Sequence, residues 1–219
     1  MNYYINTINK KPKGEYLIYS SGNILIKFIT SRFLNKISFL LNSINAYSLF
    51  GIDVGVGEGH MLYYLYKNKI INKIVGIDLD EERINFAKKH YPVCNYKVMD
   101  IYNLRHKNQR FDYIIATEIL EHLPDPESAL VNIQEVANAN AYIIISVPFE
   151  PYFQIGNFLR GKYWKRLGKT PTHLNFWTKK TFLKLLESYI NIEIVCSFST
   201  FPWILVLGRI KSPSNRSNK

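Results

Sequence analysis

Leu49-Phe50-Gly51-Ile52-Asp53-Val54-Gly55-Val56-Gly57-Glu58-Gly59-His60 is the stretch whose reading decides the fold. It reads as a buried strand ending in a carboxylate, a turn on three alternating glycines, and a helix entered at about Glu58. Glycine alone lets a backbone take positive φ and approach a ligand with no Cβ in between. The helix N-terminus just beyond aims free N–H groups at the same place. A dinucleotide fingerprint, G-x-G-x-x-G, requires glycine at position 60, and that position holds His60. The spacing is instead Asp53-x-Gly55-x-Gly57-x-Gly59. Any tight strand-to-helix turn can use glycines, so the meaning of this one is set by what surrounds it.

Downstream, strand and helix signals alternate. Strands are expected at Tyr47–Val54, Lys73–Asp78, Asn95–Asp100, Phe111–Ala116 and Ala141–Val147. Helices run between them from about Glu58 to Asn68, from Glu81 to His90 with Asp80 as cap, and from Pro126, with Asp125 as N-cap and proline in the first turn. That alternation marks a parallel sheet covered on both faces. Upstream, Leu25, Phe28, Ile29, Phe33, Ile37, Leu40, Leu41 and Ile44 recur at helical spacing with Lys27, Arg32 and Lys36 between them, predicting one or two amphipathic helices over about 23–45. Packing on its own domain is the expected use of this face, with a membrane surface as the alternative. Residues 149–177 are rich in aromatics, glycine and basic groups and have no clear period. Thr178 then caps a helix to about Tyr189, and strands near Ile192–Ser197 and Phe201–Ile210 follow. A single domain over 23–210 is expected, with a flexible lead-in at 1–22 and a disordered basic tail at 211–219.

A chain of 219 residues, 47% of them hydrophobic, suits one α/β domain with a sizeable core. Cys94 and Cys196 sit in apolar runs with no CxxC spacing and read as buried thiols of a reducing compartment, with no disulfide. No segment reaches the ~18 uninterrupted apolar residues of a membrane span and the start has no signal-peptide core, so a cytoplasmic protein with no integral membrane segment is expected. The net charge of +11 is uneven: residues 46–154 hold 10 Lys/Arg against 14 Asp/Glu, whereas 1–45 hold 6 against 1 and 155–219 hold 12 against 2. Basic flanks suggest an anionic partner, whether nucleic acid, a phosphorylated or carboxylated substrate, or a membrane surface. A merely solvated basic face is the bland alternative.

Asp78 ends the second strand 19 residues beyond Gly59, where an acid can bind ribose hydroxyls beside the glycine turn. Asp100 ends the third strand, and Phe111-Asp112-Tyr113-Ile114-Ile115-Ala116-Thr117-Glu118-Ile119-Leu120-Glu121-His122-Leu123-Pro124-Asp125-Pro126 carries the fourth. With the glycine turn, these segments resemble the Rossmann-like (class I) S-adenosylmethionine (SAM)-dependent methyltransferases over about Tyr47 to Val147. The resemblance implies a three-layer α/β sandwich around a seven-stranded, mostly parallel sheet of order 3-2-1-4-5-7-6 with the last strand antiparallel, and N-terminal helices over the cleft. It implies SAM as cofactor, with Asp53, Gly55, Gly57 and Gly59 forming the loop and Asp78 on the ribose. Leu79 would lie on the adenine face, Asp100 with Ile101 at the adenine amino group, and Glu118 beside the methionine end. Two features depart from the family pattern: Val56 stands where a smaller residue is usual, and Asn138-Ala139-Asn140 replaces the usual Pro-Gly-Gly turn. Asparagine tolerates positive φ, so that turn can survive.

Methyl transfer is an in-line displacement, so an enzyme contributes alignment and, for a hydroxyl acceptor, removal of a proton. Glu118, Glu121 and His122 are spaced to share one side of a helical turn, and His173 lies far downstream. An E-x-x-E-H segment with a later histidine resembles two metal-assisted groups, the ubiquinone-pathway O-methyltransferases and the small-RNA 3′-terminal 2′-O-methyltransferases. There the matching residues hold a divalent ion. Glu118, Glu121, His122 and His173 are thus metal candidates, with Mg2+ favoured by the carboxylates. Alternatively, Glu118 touches only the cofactor and His122 packs, in which case His122 or His173 remains the best general base.

The acceptor must be read from 149–177. Tyr152, Phe153, Phe158, Tyr163, Trp164, Phe176 and Trp177 interleave there with Arg160, Lys162, Lys165, Arg166 and Lys169. That mixture suits single-stranded nucleic acid, a pocket for an anionic aromatic metabolite, or a lid with a solvated rim. No RNA-binding module is evident. The preferred reading is methyl transfer to oxygen or nitrogen of a small-molecule, lipid-linked or saccharide-linked acceptor. An RNA 2′-O-methyltransferase is the alternative. A non-catalytic SAM-fold binding protein is the third; an eroded loop or a missing ribose acid would mark it, and neither is seen.

Overall fold

Along β1 (Phe50–Val54) Ile52 and Val54 point to one face and Gly51 and Asp53 to the other, and similar alternation in the neighbouring strands gives a sheet buried on both sides. A computed structural model describes residues 24–104, 110–150, 152–159, 161, 166–167 and 169–211. The strands after β1 are β2 (Lys73–Asp78), β3 (Asn95–Val98), β4 (Phe111–Thr117), β5 (Ala137–Pro148), β6 (Ile190–Cys196) and β7 (Trp203–Ile210). They form one seven-stranded sheet of order β3-β2-β1-β4-β5-β7-β6. The first five pair in parallel, and β7 runs antiparallel to both β5 and β6. This is the expected order and sense.

Among the described residues, six α-helices cover the sheet. On one side α1 (Ile24–Ser43), α2 (His60–Lys67) and α3 (Glu81–His90) bury Phe33, Ile37, Leu40, Leu62, Leu65 and Ile84 against Tyr113, Ile115, Ile144 and Leu205. On the other, α4 (Pro126–Val136) and α6 (Lys179–Leu186) bury Leu130, Ile133, Phe182 and Leu186 against Ile52, Ile114, Ile143 and Ile204. The sixth, α5 (Tyr152–Leu159), follows β5 at the end of the sheet where the glycine turn lies. The α1 stripe at Thr30, Phe33, Leu34, Ile37, Leu40 and Leu41 is the amphipathic signal read as core.

Several boundaries move. The N-terminal region forms one described helix. Strand one begins at Phe50, because Ala46–Ser48 make a 3-10 turn after Asn45 at φ 54°. The helix after the glycine turn begins at His60, with Gly59 in left-handed backbone as its N-cap. Strand three stops at Val98, since Asp100 caps a 3-10 turn at Ile101–Asn103. Strand five begins at Ala137, so the expected Asn138-Ala139-Asn140 turn becomes part of the strand, with a register shift opposite Phe111 and Tyr113 and Asn140 at φ 60°. Residues 149–177 contain α5, which the missing period concealed. Thr178 caps α6 with a capping box as expected, but the helix stops at Leu186. The lead-in at 1–22, the tail at 212–219, and Arg160, Lys162, Tyr163, Trp164 and Lys165 lie outside the described residues.

Gly51 is needed for space. A Cβ there would sit 2.1 Å from the Tyr113 ring, which packs across the neighbouring strand. Gly51→Ala is expected to cost about 3 kcal/mol of stability, measurable by urea unfolding.

Candidate active site

The strand order reverses between β1 and β4, so the crevice at their carboxyl ends is where an open α/β sheet binds ligands. β1 leads directly into the glycine turn. Gly55, Gly57 and Gly59 take φ of 79°, 56° and 80°, values at which a side chain is strained. The turn is tied to β2 by Gly55 and Val56 N–H donating to the Ile77 carbonyl at 2.8 and 2.9 Å. Val56 turns its side chain inward to within 3.0 Å of where a Gly76 Cβ would be, so the glycine at 76 accommodates the larger residue.

Asp78 sits at the end of β2 and is half-buried. Its Oδ2 accepts from Gly57 N–H at 2.8 Å and its Oδ1 from Asp80 N–H at 2.9 Å. One carboxylate thus braces the turn and the start of α3. Leu79 beside it is 69% exposed, an uncovered apolar surface flanking the crevice. Asp100 accepts from Tyr102 N–H at 2.9 Å. Ile101 places its side chain in the core instead, so only its backbone could serve a ligand.

Asp53 is 1% exposed, and neither carboxylate oxygen has a hydrogen-bond partner. Burial, reinforced by the Asp78 charge, pushes its pKa up to about 8. The folded protein therefore keeps a proton that the unfolded chain releases near pH 4. Stability is lost as pH rises from there through about 8. Asp53→Asn removes this dependence. Its stability relative to wild type should rise by about 1.4 kcal/mol per pH unit in that window, read from urea midpoints at pH 5, 6.5 and 8.

Beyond β4 the expected helical face is absent. Glu118 takes φ 56° and precedes a 3-10 turn at Leu120–His122, so Glu118, Glu121 and His122 do not share one face of a helix. The Glu118 carboxylate is claimed by two donors, Trp203 Nε1–H at 2.6 Å and Ser146 Oγ–H at 3.3 Å. Burial still pushes its pKa up to about 8; those bonds oppose the shift and the Glu150 charge adds to it.

Glu121 is 1% exposed with both oxygens unpartnered, and burial, then the Glu118 charge, raise its pKa well above the usual range. Its carbonyl accepts from Leu174 and Asn175 N–H at 2.8 and 3.1 Å, while Asn175 Nδ2 donates to the carbonyls of Leu120 and Leu123. This strap brings His173 to His122, with ring centroids 5.0 Å apart. Ligand atoms of Glu121, His122 and His173 all lie within 4.8 Å of one another. His122 Nδ1 is 3.0 Å from the Thr172 carbonyl; a carbonyl only accepts, so Nδ1 carries the hydrogen and the neutral ring keeps its lone pair on Nε2. Of the four residues expected to gather, three do, and Glu118 is held apart by Trp203 and Ser146.

The methyltransferase domain family profile matches residues 26–191, more than half of the chain. The chain belongs to the class I, Rossmann-like SAM-dependent methyltransferase family. A ubiquinone biosynthesis O-methyltransferase of Coxiella burnetii is 30% identical over 153 residues, 62% of this chain and 64% of that protein; the matched segment thus spans under two thirds of the relative's length. Among solved structures, the fold is shared with magnesium protoporphyrin IX methyltransferase from Synechocystis PCC 6803 with bound S-adenosylhomocysteine (SAH), at TM-score 0.67, 16% identity, and 89% and 91% coverage of the two chains. It is also shared with the methyltransferase domain of bacterial CtHen1-C, at TM-score 0.64, 19% identity, and 84% and 100% coverage.

Three residues of this methyltransferase domain escaped the sequence reading. Glu150, 4% exposed just past β5, has Oε1 3.7 Å from His173 Nδ1. The rule that found Asp78 and Asp100, an acid at a strand's carboxyl end, would have found it. Ser146 and Trp203 carry no local signal, because only the β5–β7 pairing brings Trp203 to Glu118. Among the described residues no helix is long and apolar enough to cross a membrane.

Proposed function

We propose that this methyltransferase domain binds SAM in the β1–β4 crevice and transfers its methyl group to an oxygen of an anionic, aromatic small molecule or of a lipid- or saccharide-linked acceptor. The glycine turn admits the cofactor's backbone-facing edge, Asp78 accepts from the ribose hydroxyls, Leu79 covers the adenine, and Asp100 accepts from its amino group. Glu118 faces the cationic methionine end.

The convergence of Glu121, His122 and His173 supports oxygen as the methylated atom. A buried carboxylate with no partner beside two imidazoles fits a divalent cation. Two nitrogens and one carboxylate suit Mn2+ or Zn2+ better than the Mg2+ expected from four residues with two carboxylates. An ion held there would lower the pKa of an acceptor hydroxyl and orient it. The chain's own part is to fix the imidazoles: the Thr172 carbonyl sets the His122 tautomer and leaves Nε2 as its one nitrogen able to bind an ion, and in the absence of an ion the free lone pair of His122 or His173 would instead accept the proton of the acceptor hydroxyl.

The wall beside them is aromatic. Phe153 stacks on His173 at 5.9 Å, Phe176 lies 6.4 Å away, and Lys169 Nζ sits 5.1 Å above the Phe176 ring. Such a wall favours a planar acceptor carrying negative charge.

Labelled-methyl SAM incubated with cell extract, with and without EDTA, tests the proposal. Label is expected in the small-molecule or lipid fraction and should fall in EDTA. Label confined to RNA would redirect the assignment to 2′-O-methylation. SAM binding with no label transferred anywhere would make this a binding protein.

A further inference from the structure

We propose that Trp203 is a positioning residue of the cofactor site: its indole N–H holds Glu118 in place, and Phe33 of α1 seats the indole, so the N-terminal helix sets the methionine end of the crevice. The proposal rests on the assignment of Glu118 to that end.

Glu118 occupies backbone that side chains rarely adopt, at φ 56°. Its N–H donates to the Ser146 carbonyl at 3.2 Å, and both carboxylate oxygens take hydrogen bonds from the β5–β7 pair. The shortest, 2.6 Å, comes from Trp203, 85 residues away. An indole N–H can only donate, so the Oε2 it meets serves as acceptor whether or not the other oxygen carries a proton, and this contact is what keeps the carboxyl group aimed.

Trp203 is itself fixed. It is 5% exposed and pairs with Pro148 in the β5–β7 register. Thr200 Oγ lies 2.8 Å from its carbonyl, and its ring meets Phe33 at a centroid distance of 4.7 Å. Phe33 lies on the buried stripe of α1. A chain of contacts therefore runs from α1 through Phe33 and the indole to a carboxylate at the cleft. If Trp203 merely filled the core, its N–H would need only some acceptor; here the acceptor is the acid just past β4 at the switch point.

The test is a double-mutant cycle on SAH affinity by calorimetry. Trp203→Phe keeps an aromatic ring and removes the donor. It is expected to weaken SAH binding about tenfold, and to cost almost no further affinity in a Glu118→Leu background, which has no acceptor for the indole. Unchanged affinity in the single variant, or the same loss in the Glu118→Leu background, would overturn the proposal. Whether or not Trp203→Phe folds, the indole N–H resonance of Trp203 in the ¹⁵N-labelled protein should move upfield in Glu118→Gln and shift in Phe33→Leu. An unmoved resonance in both counts against it. Failure of the wild type to bind SAH would instead defeat the assignment of the cofactor, leaving the two outcomes distinct.

Discussion

Asp78→Ala is expected to weaken SAM and SAH binding by at least about a hundredfold. The carboxylate ends β2 beside the glycine turn, with one oxygen on Gly57 N–H and the other on Asp80 N–H. Each oxygen keeps a second lone pair, and two adjacent ribose hydroxyls can use both. Charge-assisted bonds of this type contribute about 1.5–3 kcal/mol each, so losing two exceeds the ~2.8 kcal/mol that a hundredfold change represents. The variant also releases the turn at Gly57, costing a further ~1 kcal/mol of stability. Asp78→Asn keeps one acceptor oxygen, and an intermediate loss of about tenfold is expected. Calorimetry with SAH reads both variants; equal affinities for Asp78→Ala and wild type would remove the ribose role.

Glu121→Met is expected to separate stability from function. Glu121 is 1% exposed, its oxygens lack partners, and its pKa is raised by burial and then by the Glu118 charge. An unpaired buried acid opposes folding, and an apolar side chain of similar length relieves that cost. The variant should gain about 1–2 kcal/mol in urea unfolding. Its turnover should fall about a hundredfold and its response to EDTA should vanish, because the cation would lose its only carboxylate ligand. SAH affinity should stay within about twofold, since Glu121 is not assigned to the cofactor. Such a trade is common where a site keeps groups that folding alone would reject. Unchanged turnover in Glu121→Met would exclude a role for the cluster in transfer.

The sheet was legible because its strands are short apolar runs punctuated by glycines and acids. Order and sense followed from the family resemblance, and the family match agrees with it. Helix α1 was legible from its stripe, whereas α5 was hidden because its apolar residues form no buried stripe: Tyr152 and Ile155 are exposed and its buried position is Asn157. Boundaries failed where a side chain overrode the pattern: Asp100 ends β3 by capping its own turn, and Asn140 takes positive φ without ending β5. At the site, Glu121, His122 and His173 could be matched to a motif although 50 residues lie between His122 and His173. The fate of Glu118 could not be read in advance. Its expected helical spacing to Glu121 presumed a turn that the backbone does not make, and its partner Trp203 comes from an antiparallel strand with no sequence relation to it.

Equilibrium titration of the wild-type protein with SAH near pH 7.5 tests the central claim most directly. One molecule bound per chain, with a melting temperature that rises with SAH concentration, is predicted. No heat of binding and no thermal shift at millimolar SAH would contradict it.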